Sequence, residues 1–126
     1  MSLLRRFSLS AAAVLLAGFF MPATAMAHPR VLSSNPAANT AVAAPAQIDV
    51  SFSEALLARG SRAELFMGHG RLWMKVAVAP AQVLADGRTL RTVPDAALVP
   101  GNYRLQWRTV GADSHPMSGD LDFSVK

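Results

Sequence analysis

Apolar and polar residues alternate with a period of two along several segments of the chain, and this pattern constrains the fold most. In one segment, Ile48, Val50 and Phe52 would share a single face. The alternation recurs over residues 72–78, 103–107 and 121–125. Turn-forming pairs such as Asp86-Gly87 separate these segments, and no stretch has a convincing helical period. The pattern predicts an all-β domain, either a small sandwich or a barrel.

Two local features refine this prediction. Residues 53–60 read Ser-Glu-Ala-Leu-Leu-Ala-Arg-Gly, and we expect one helical turn there. Residues 98–103 end in Pro-Gly-Asn-Tyr, which resembles the approach to a tyrosine corner, where a tyrosine hydroxyl bonds to the backbone a few residues upstream.

The first 27 residues have the composition of an export signal. Arg5 and Arg6 precede an apolar run over residues 9–20, and Ala25-Met26-Ala27 matches a small-x-small cleavage site. The run is too short to cross a bilayer, which takes about 20 residues, and no later segment is more apolar. We therefore expect cleavage after residue 27, export to the periplasm, and a mature domain of residues 28–126 that does not span the membrane.

Composition excludes several classes of function. The net charge of +4 includes Arg5 and Arg6, and the remaining basic residues are scattered, so we expect no nucleic-acid partner. Cysteine is absent, which excludes disulfides, thiolate zinc sites and blue-copper sites. Any metal site must use nitrogen, oxygen or thioether donors.

His28 would become the first residue of the processed chain. Its free α-amine and its imidazole could chelate one metal ion, and affinity should fall as acid protonates the amine. Pro29 has no backbone N–H that the metal could displace, so this terminal unit supplies two nitrogens and no more. A solvated terminus without a metal is the alternative reading.

Asp113 and His115 are two residues apart, so in an extended segment their side chains could converge on one ion. Together with His28 they make a set of three nitrogens and one oxygen. Tetragonal nitrogen and oxygen donors favour Cu(II), which also heads the affinity series of the divalent metals. The predicted ligand is one Cu(II) per chain, with nickel and zinc as weaker competitors.

The predicted mature chain resembles the CopC family of periplasmic copper-resistance proteins nearly end to end. The resemblance begins at His28-Pro29 and rests on motifs in a fixed order. These are Ser34-Asn35-Pro36-Ala37, Ala44-Pro45-Ala46, the strand over residues 48–52 with Ser53-Glu54, residues 100–110, and Asp113-Ser114-His115-Pro116-Met117-Ser118-Gly119.

This resemblance implies a Greek-key β-barrel or sandwich of immunoglobulin- or cupredoxin-like type with about seven strands. It implies Cu(II) bound by His28, Asp113 and His115, with Glu54 close by in an axial or outer position. An exposed carboxylate at a strand end is the alternative for Glu54. The resemblance also implies cooperation with an inner-membrane CopD-type protein in copper resistance and homeostasis.

Some members of the family carry a Cu(I) site in a methionine-rich loop. The corresponding region here has only Met67, His69 and Met74 as soft donors, so the motif is depleted. The alternation of Met74 with Leu72 places it in the core, and we expect His69 to be solvated in its turn.

Three functions are compatible with these residues. We favour a non-enzymatic copper binder that sequesters or ferries Cu(II). A terminal histidine with a second histidine also occurs in copper-dependent oxidative enzymes, but a carboxylate ligand would occupy the position that dioxygen needs. A metal-free immunoglobulin-like interaction module is the third reading.

Overall fold

The computed structural model describes residues 29–126, and within them nine strands form two sheets. The strands are β1 (Val31–Asn35), β2 (Ala41–Val42), β3 (Ile48–Phe52), β4 (Arg62–His69), β5 (Leu72–Val76), β6 (Gln82–Val83), β7 (Thr89–Thr92), β8 (Gly101–Val110) and β9 (Pro116–Val125). The described residues contain no helix, so the all-β prediction is confirmed.

One sheet has the strand order β1-β3-β7-β6, and the other has the order β2-β9-β8-β4-β5. Neighbouring strands are antiparallel except for β2, which runs parallel to β9. The two sheets form a β-sandwich. The strand count exceeds the predicted seven because β2 and β6 are two-residue edge strands that carry no periodic signal.

The long β8–β9 hairpin organises the larger sheet. Ten residue pairs join the two strands, from Gly101 opposite Val125 to Val110 opposite Pro116. Tyr103, Leu105 and Trp107 alternate along β8 and are all buried, because successive side chains on a strand point to opposite faces of the sheet.

Aromatic side chains pack in the core. Phe52 of β3 meets Trp107 of β8 edge to face, with ring centroids 5.0 Å apart, and joins the two sheets. Within the larger sheet, Tyr103 stacks on the paired Phe123 at 5.5 Å. Trp107 also lies over Gly119 of β9, at the place where any larger residue would put its Cβ atom. The indole therefore requires glycine at this position of β9.

The tyrosine corner is present as predicted. The Tyr103 hydroxyl donates a hydrogen bond to the Val99 carbonyl at 2.6 Å. This bond fixes the path of the chain into β8.

Two other expectations need correction. Residues 53–60 form no helix: Leu56 makes a β-bridge to Gly111, the Leu57 N–H donates to the Val110 carbonyl at 2.7 Å, and only residues 58–60 form a turn. Met74 is not in the core but 58 % exposed. It lies on β5, an edge strand of the larger sheet that the smaller sheet does not cover at this position. A period-two pattern reports a strand and its two faces, but not whether another sheet covers either face.

The outer face of the larger sheet carries a polar network. The Arg104 guanidinium donates two hydrogen bonds to the Asp122 carboxylate, at 2.7 and 2.9 Å, and lies 4.6 Å from the centroid of the Trp73 ring. These hydrogen bonds lower the pKa of Asp122 below its usual value. They also connect β8 with β9 outside the core.

No helix among residues 29–126 is long and apolar enough to cross a bilayer. The predicted signal peptide and His28 lie outside the described residues.

Gly119→Ala tests the contact between Trp107 and β9. The added methyl group would collide with the indole, and we expect the free energy of unfolding to fall by about 1–3 kcal/mol in urea titrations. Ser118→Ala, at the exposed neighbouring position, is the control and should change stability by less than about 0.5 kcal/mol. Equal stability of the two variants would contradict this packing.

Asp122→Asn tests the ion pair through its pH dependence. Because the pKa of Asp122 is lowered in the folded state, its stabilisation is present above the unfolded-state pKa of about 3.9 and is lost as the pH falls through the folded value. Thermal melts should show the variant less stable at pH 7 by roughly 0.5–1 kcal/mol, with the difference closing below about pH 4. If the difference in stability between parent and variant did not change with pH, the ion pair could not be its origin. Asp95→Asn, in a solvated turn, is the control and should be as stable as the parent at both pH values.

Candidate metal centre

The turn between β8 and β9 holds the predicted Asp-x-His pair. The Ser114 N–H donates to the Gly111 carbonyl at 2.9 Å, and the Gly111 N–H donates to the His115 carbonyl at 3.3 Å. Ser114 has a φ of 66°, in the left-handed region that non-glycine residues seldom adopt. This conformation reverses the chain between the two candidate ligands.

Asp113 and His115 are in direct contact. The Asp113 carboxylate accepts a hydrogen bond from the His115 backbone N–H at 3.1 Å, and its other oxygen lies 3.0 Å from His115 Nδ1. The Asp113 side chain is only 9 % exposed, whereas that of His115 is 68 % exposed. A buried carboxylate thus orients an accessible imidazole, and Nε2 is the ring nitrogen not used in this contact.

The start of the described chain packs against the same turn. Pro29 is fully buried, and its ring lies beside Gly111, where a Cβ atom on residue 111 would come within 3.0 Å of both Pro29 Cγ and Asp113 Oδ1. Gly111 therefore leaves just enough room for the proline ring and the carboxylate to lie on either side of it.

The end of β3 holds this first segment in place. The Arg30 N–H donates to Ser53 Oγ at 2.9 Å, and the Ser53 N–H donates to the Arg30 carbonyl at 2.8 Å. Glu54 follows directly and is partly buried, and the bridge between Leu56 and Gly111 brings its segment to the same end of the sandwich. The structure thus brings the neighbourhoods of Pro29, Glu54 and Asp113 together.

Residues 29–126 contain no group of three or more histidine, cysteine, aspartate or glutamate residues arranged to hold a metal ion. Asp113 and His115 are two donors of the predicted four. The other two are predicted at His28, which lies outside the described part of the chain.

The three soft donors lie at the far end of the larger sheet. Met67 of β4 is directly opposite Met74 of β5, and His69 is opposite Leu72 at the tip of the hairpin. Met67 packs against the core with its terminal methyl group over Gly101, while His69 is exposed as expected. The three residues share one face of a hairpin, but only two of them are open to solvent.

The sequence predicted Asp113 and His115 as ligands, and the structure places the two in contact; the sequence did not indicate the groups that position them. Ser53, Gly111 and the left-handed Ser114 carry no chemical signal of their own. Their importance follows from register, since Gly111 is matched to Leu56 only in the folded sheet.

Comparison with known proteins adds a family to this geometry. Residues 31–126 match the model of the CopC domain. The chain belongs to the CopC family. It is 45 % identical over 123 residues to copper resistance protein C of Xanthomonas campestris pv. juglandis, covering 94 % of this chain and 96 % of that protein.

Two further CopC-related proteins bear on the fold and its context. The crystal structure of PcoC, a methionine-rich copper resistance protein from Escherichia coli, superposes with a TM-score of 0.73 at 40 % identity, covering 79 % of this chain and all of PcoC. The copper transport protein CutJ of Bacillus subtilis is 30 % identical over 108 residues, which cover 84 % of this chain but 19 % of CutJ.

Proposed function

We propose that this CopC-family protein binds one Cu(II) ion per chain at the turn between β8 and β9. The observation that carries the proposal is the burial of Pro29 against Gly111, beside the contact between Asp113 and His115. This packing brings the start of the domain and the Asp-x-His pair to one place.

The chemistry of the donors supports copper. The Asp113 carboxylate and the His115 imidazole offer oxygen and nitrogen, which suit Cu(II), and no described residue offers a thiolate. His115 is exposed enough to be reached by an incoming ion. A Cu(II) ion that replaces the proton between Asp113 Oδ2 and His115 Nδ1, which lie 3.0 Å apart, would be bound by both groups.

The remaining donors would come from His28. This residue is bonded to Pro29, whose ring already touches the Asp113 turn, so its α-amine and imidazole need to span little more than one residue to join the pair. Processing after residue 27 would create that amine. Glu54, on the neighbouring segment, would act from an axial or outer position.

The proposed role is to sequester or ferry copper in the periplasm without catalysing a reaction. Four strong donors on one ion leave little room for a substrate. Three relatives are copper resistance proteins, which supports a role of this chain in copper resistance. We infer that it delivers copper to, or receives it from, an inner-membrane CopD-type partner. CutJ favours such an arrangement, because its CopC-like region is a small part of a longer copper transport protein.

A Cu(I) site at Met67, His69 and Met74 is a secondary proposal. Exposed His69 and Met74 could bind a soft ion at the hairpin tip, but Met67 would have to leave its packing against Gly101. We therefore assign Cu(II) to the turn as the principal activity.

Removing one ligand at a time tests the Cu(II) site. The sample is the processed protein, whose mass should show that it begins at His28. At one equivalent of Cu(II) we expect a single tetragonal, nitrogen-rich signal in electron paramagnetic resonance. His115→Ala and Asp113→Asn should each change this signal. Copper should raise the free energy of unfolding of the parent by about 2.7 kcal/mol when free Cu(II) is 100 times the Kd, and by less in each variant. His69→Ala and Asp95→Asn are the matched controls and should bind as the parent does.

A form acetylated at the His28 α-amine removes that donor and keeps the imidazole. It should lose one nitrogen from the spectrum while keeping the fold. Unchanged spectra in the Asp113, His115 and acetylated forms would overturn the proposed ligands, and the absence of stoichiometric copper in the parent would overturn the function.

Gly111→Ala tests whether the start of the domain must pack at the turn. Its methyl group would push Pro29 or Asp113 aside, so we expect Cu(II) affinity to fall roughly tenfold, which corresponds to about 1.4 kcal/mol. Calorimetric titration measures this loss. Gly87→Ala, in a turn with open space around it, controls for loss of stability alone and should leave Cu(II) affinity unchanged. An equal loss of Cu(II) affinity in both variants would contradict the packing argument.

A further inference from the structure

Two arginines lie directly opposite each other on the outer face of the larger sheet. Arg62 of β4 pairs in register with Arg108 of β8, and Ser118 of β9 is next in the same row. Directly opposed residues on antiparallel strands have Cβ atoms about 4.5–5.5 Å apart, and like charges at this distance destabilise a sheet. Both side chains are exposed, so they are not held there by burial.

The nearest acidic residues are directed to other cations. Glu64 pairs with Lys75 at 3.4 Å, and Asp120 lies 4.0 Å from Arg104. Among residues 29–126, no carboxylate comes within 4.0 Å of Arg62 or Arg108. Arg62 and Arg108 are therefore neighbours in register, and no described carboxylate lies within salt-bridge distance of either.

These side chains line a surface groove of about 480 Å³. We call it the arginine groove. Its outward-facing residues, two from each of three adjacent strands, are Arg62, Glu64, Gln106, Arg108, Ser118 and Asp120.

From this geometry we infer that the arginine groove binds the carboxylates of an acidic, extended segment of a partner protein. A guanidinium offers a planar pair of N–H donors that matches a carboxylate, and two adjacent guanidiniums would be relieved of their mutual repulsion by one or two such groups. Gln106 and Ser118 supply neutral donors and acceptors along the same groove. The inference concerns a different surface from the metal-binding turn and does not depend on copper.

The composition of the groove favours a protein segment over other anions. Two exposed arginines hold a small free anion weakly, because salt screens exposed charges. Anionic membranes bind clusters of several basic residues, whereas Glu64 and Asp120 flank this pair. A segment with carboxylates spaced along it could reach the arginines and avoid the two acids.

The arginine groove lies close to the turn between β8 and β9. Arg108 lies two residues before the end of β8, so it is about 7 Å along the strand from Val110 and the turn that follows. Ser61 Oγ accepts a hydrogen bond from the Val110 N–H at 3.2 Å and fixes the start of β4 beside that turn. A partner seated in the groove would therefore lie next to Asp113 and His115.

The test is a titration followed by nuclear magnetic resonance of the arginine side chains. The probe is a seven-residue peptide of alternating threonine and glutamate, blocked at both ends, and its glutamine counterpart is the neutral control. We expect saturable shifts of the Arg62 and Arg108 Nε–H signals with the acidic peptide alone. Arg62→Gln and Arg108→Gln should each weaken binding roughly tenfold, as expected for a charge-assisted hydrogen bond.

Matched controls separate a site from net charge. Arg71→Gln, in the turn between β4 and β5, removes the same charge at the far end and should leave peptide affinity unchanged, whereas Asp120→Asn should increase it. The Arg62 and Arg108 variants should melt at or above the parent temperature, because they remove a repulsion.

Four results would overturn the inference. These are equal weakening by Arg71→Gln, equal binding of acetate at the same carboxylate concentration, binding to phosphatidylglycerol vesicles but not to the peptide, and a lower melting temperature in both arginine variants. All variants retain His28, Asp113 and His115, so Cu(II) titration of the same samples reports on the metal site separately.

Discussion

The register between β8 and β9 is the constraint on which the other features depend. Because side chains alternate along a strand, a slip of one residue would exchange the buried and exposed faces. In the observed register Trp107 lies over the one β9 position without a side chain, Gly119, so a shifted pairing would place the indole against a Cβ atom. Packing of a single large ring thus selects the pairing of twenty residues.

This pairing also decides what lies at the end of the hairpin. The last pair joins Val110 to Pro116, so the five residues between them must reverse the chain. Asp113 and His115 face each other because the turn is this short and because Ser114 accepts a left-handed conformation. The same register sets Arg108 beside Ser118 on the outer face, so the turn proposed to bind copper and the arginine groove have a common origin in one hairpin.

Much of the fold could be predicted from the sequence, since alternation marked the strands at residues 48–52, 103–107 and 121–125 and the tyrosine corner was visible in residues 98–103. The pattern could not report that β5 is an uncovered edge, which left Met74 exposed, or that Leu56 joins Gly111 instead of a helical turn. For the candidate site, residue chemistry predicted that Asp113 and His115 converge, and the structure has them in contact; their role as ligands remains a prediction. Residue chemistry could not identify Gly111 or the opposition of Arg62 and Arg108, because these depend on the pairing of residues more than 40 positions apart.

The left-handed conformation of Ser114 has a consequence for how the sequence of this turn can vary. The middle residue of the Asp-x-His motif supplies neither of the two predicted donors, so ligand chemistry alone would leave it unrestricted. Its backbone, however, excludes β-branched residues and favours glycine, asparagine and aspartate. Substitutions at position 114 are therefore filtered by backbone shape, and among related chains the variety allowed there would measure how strictly this turn must hold its form.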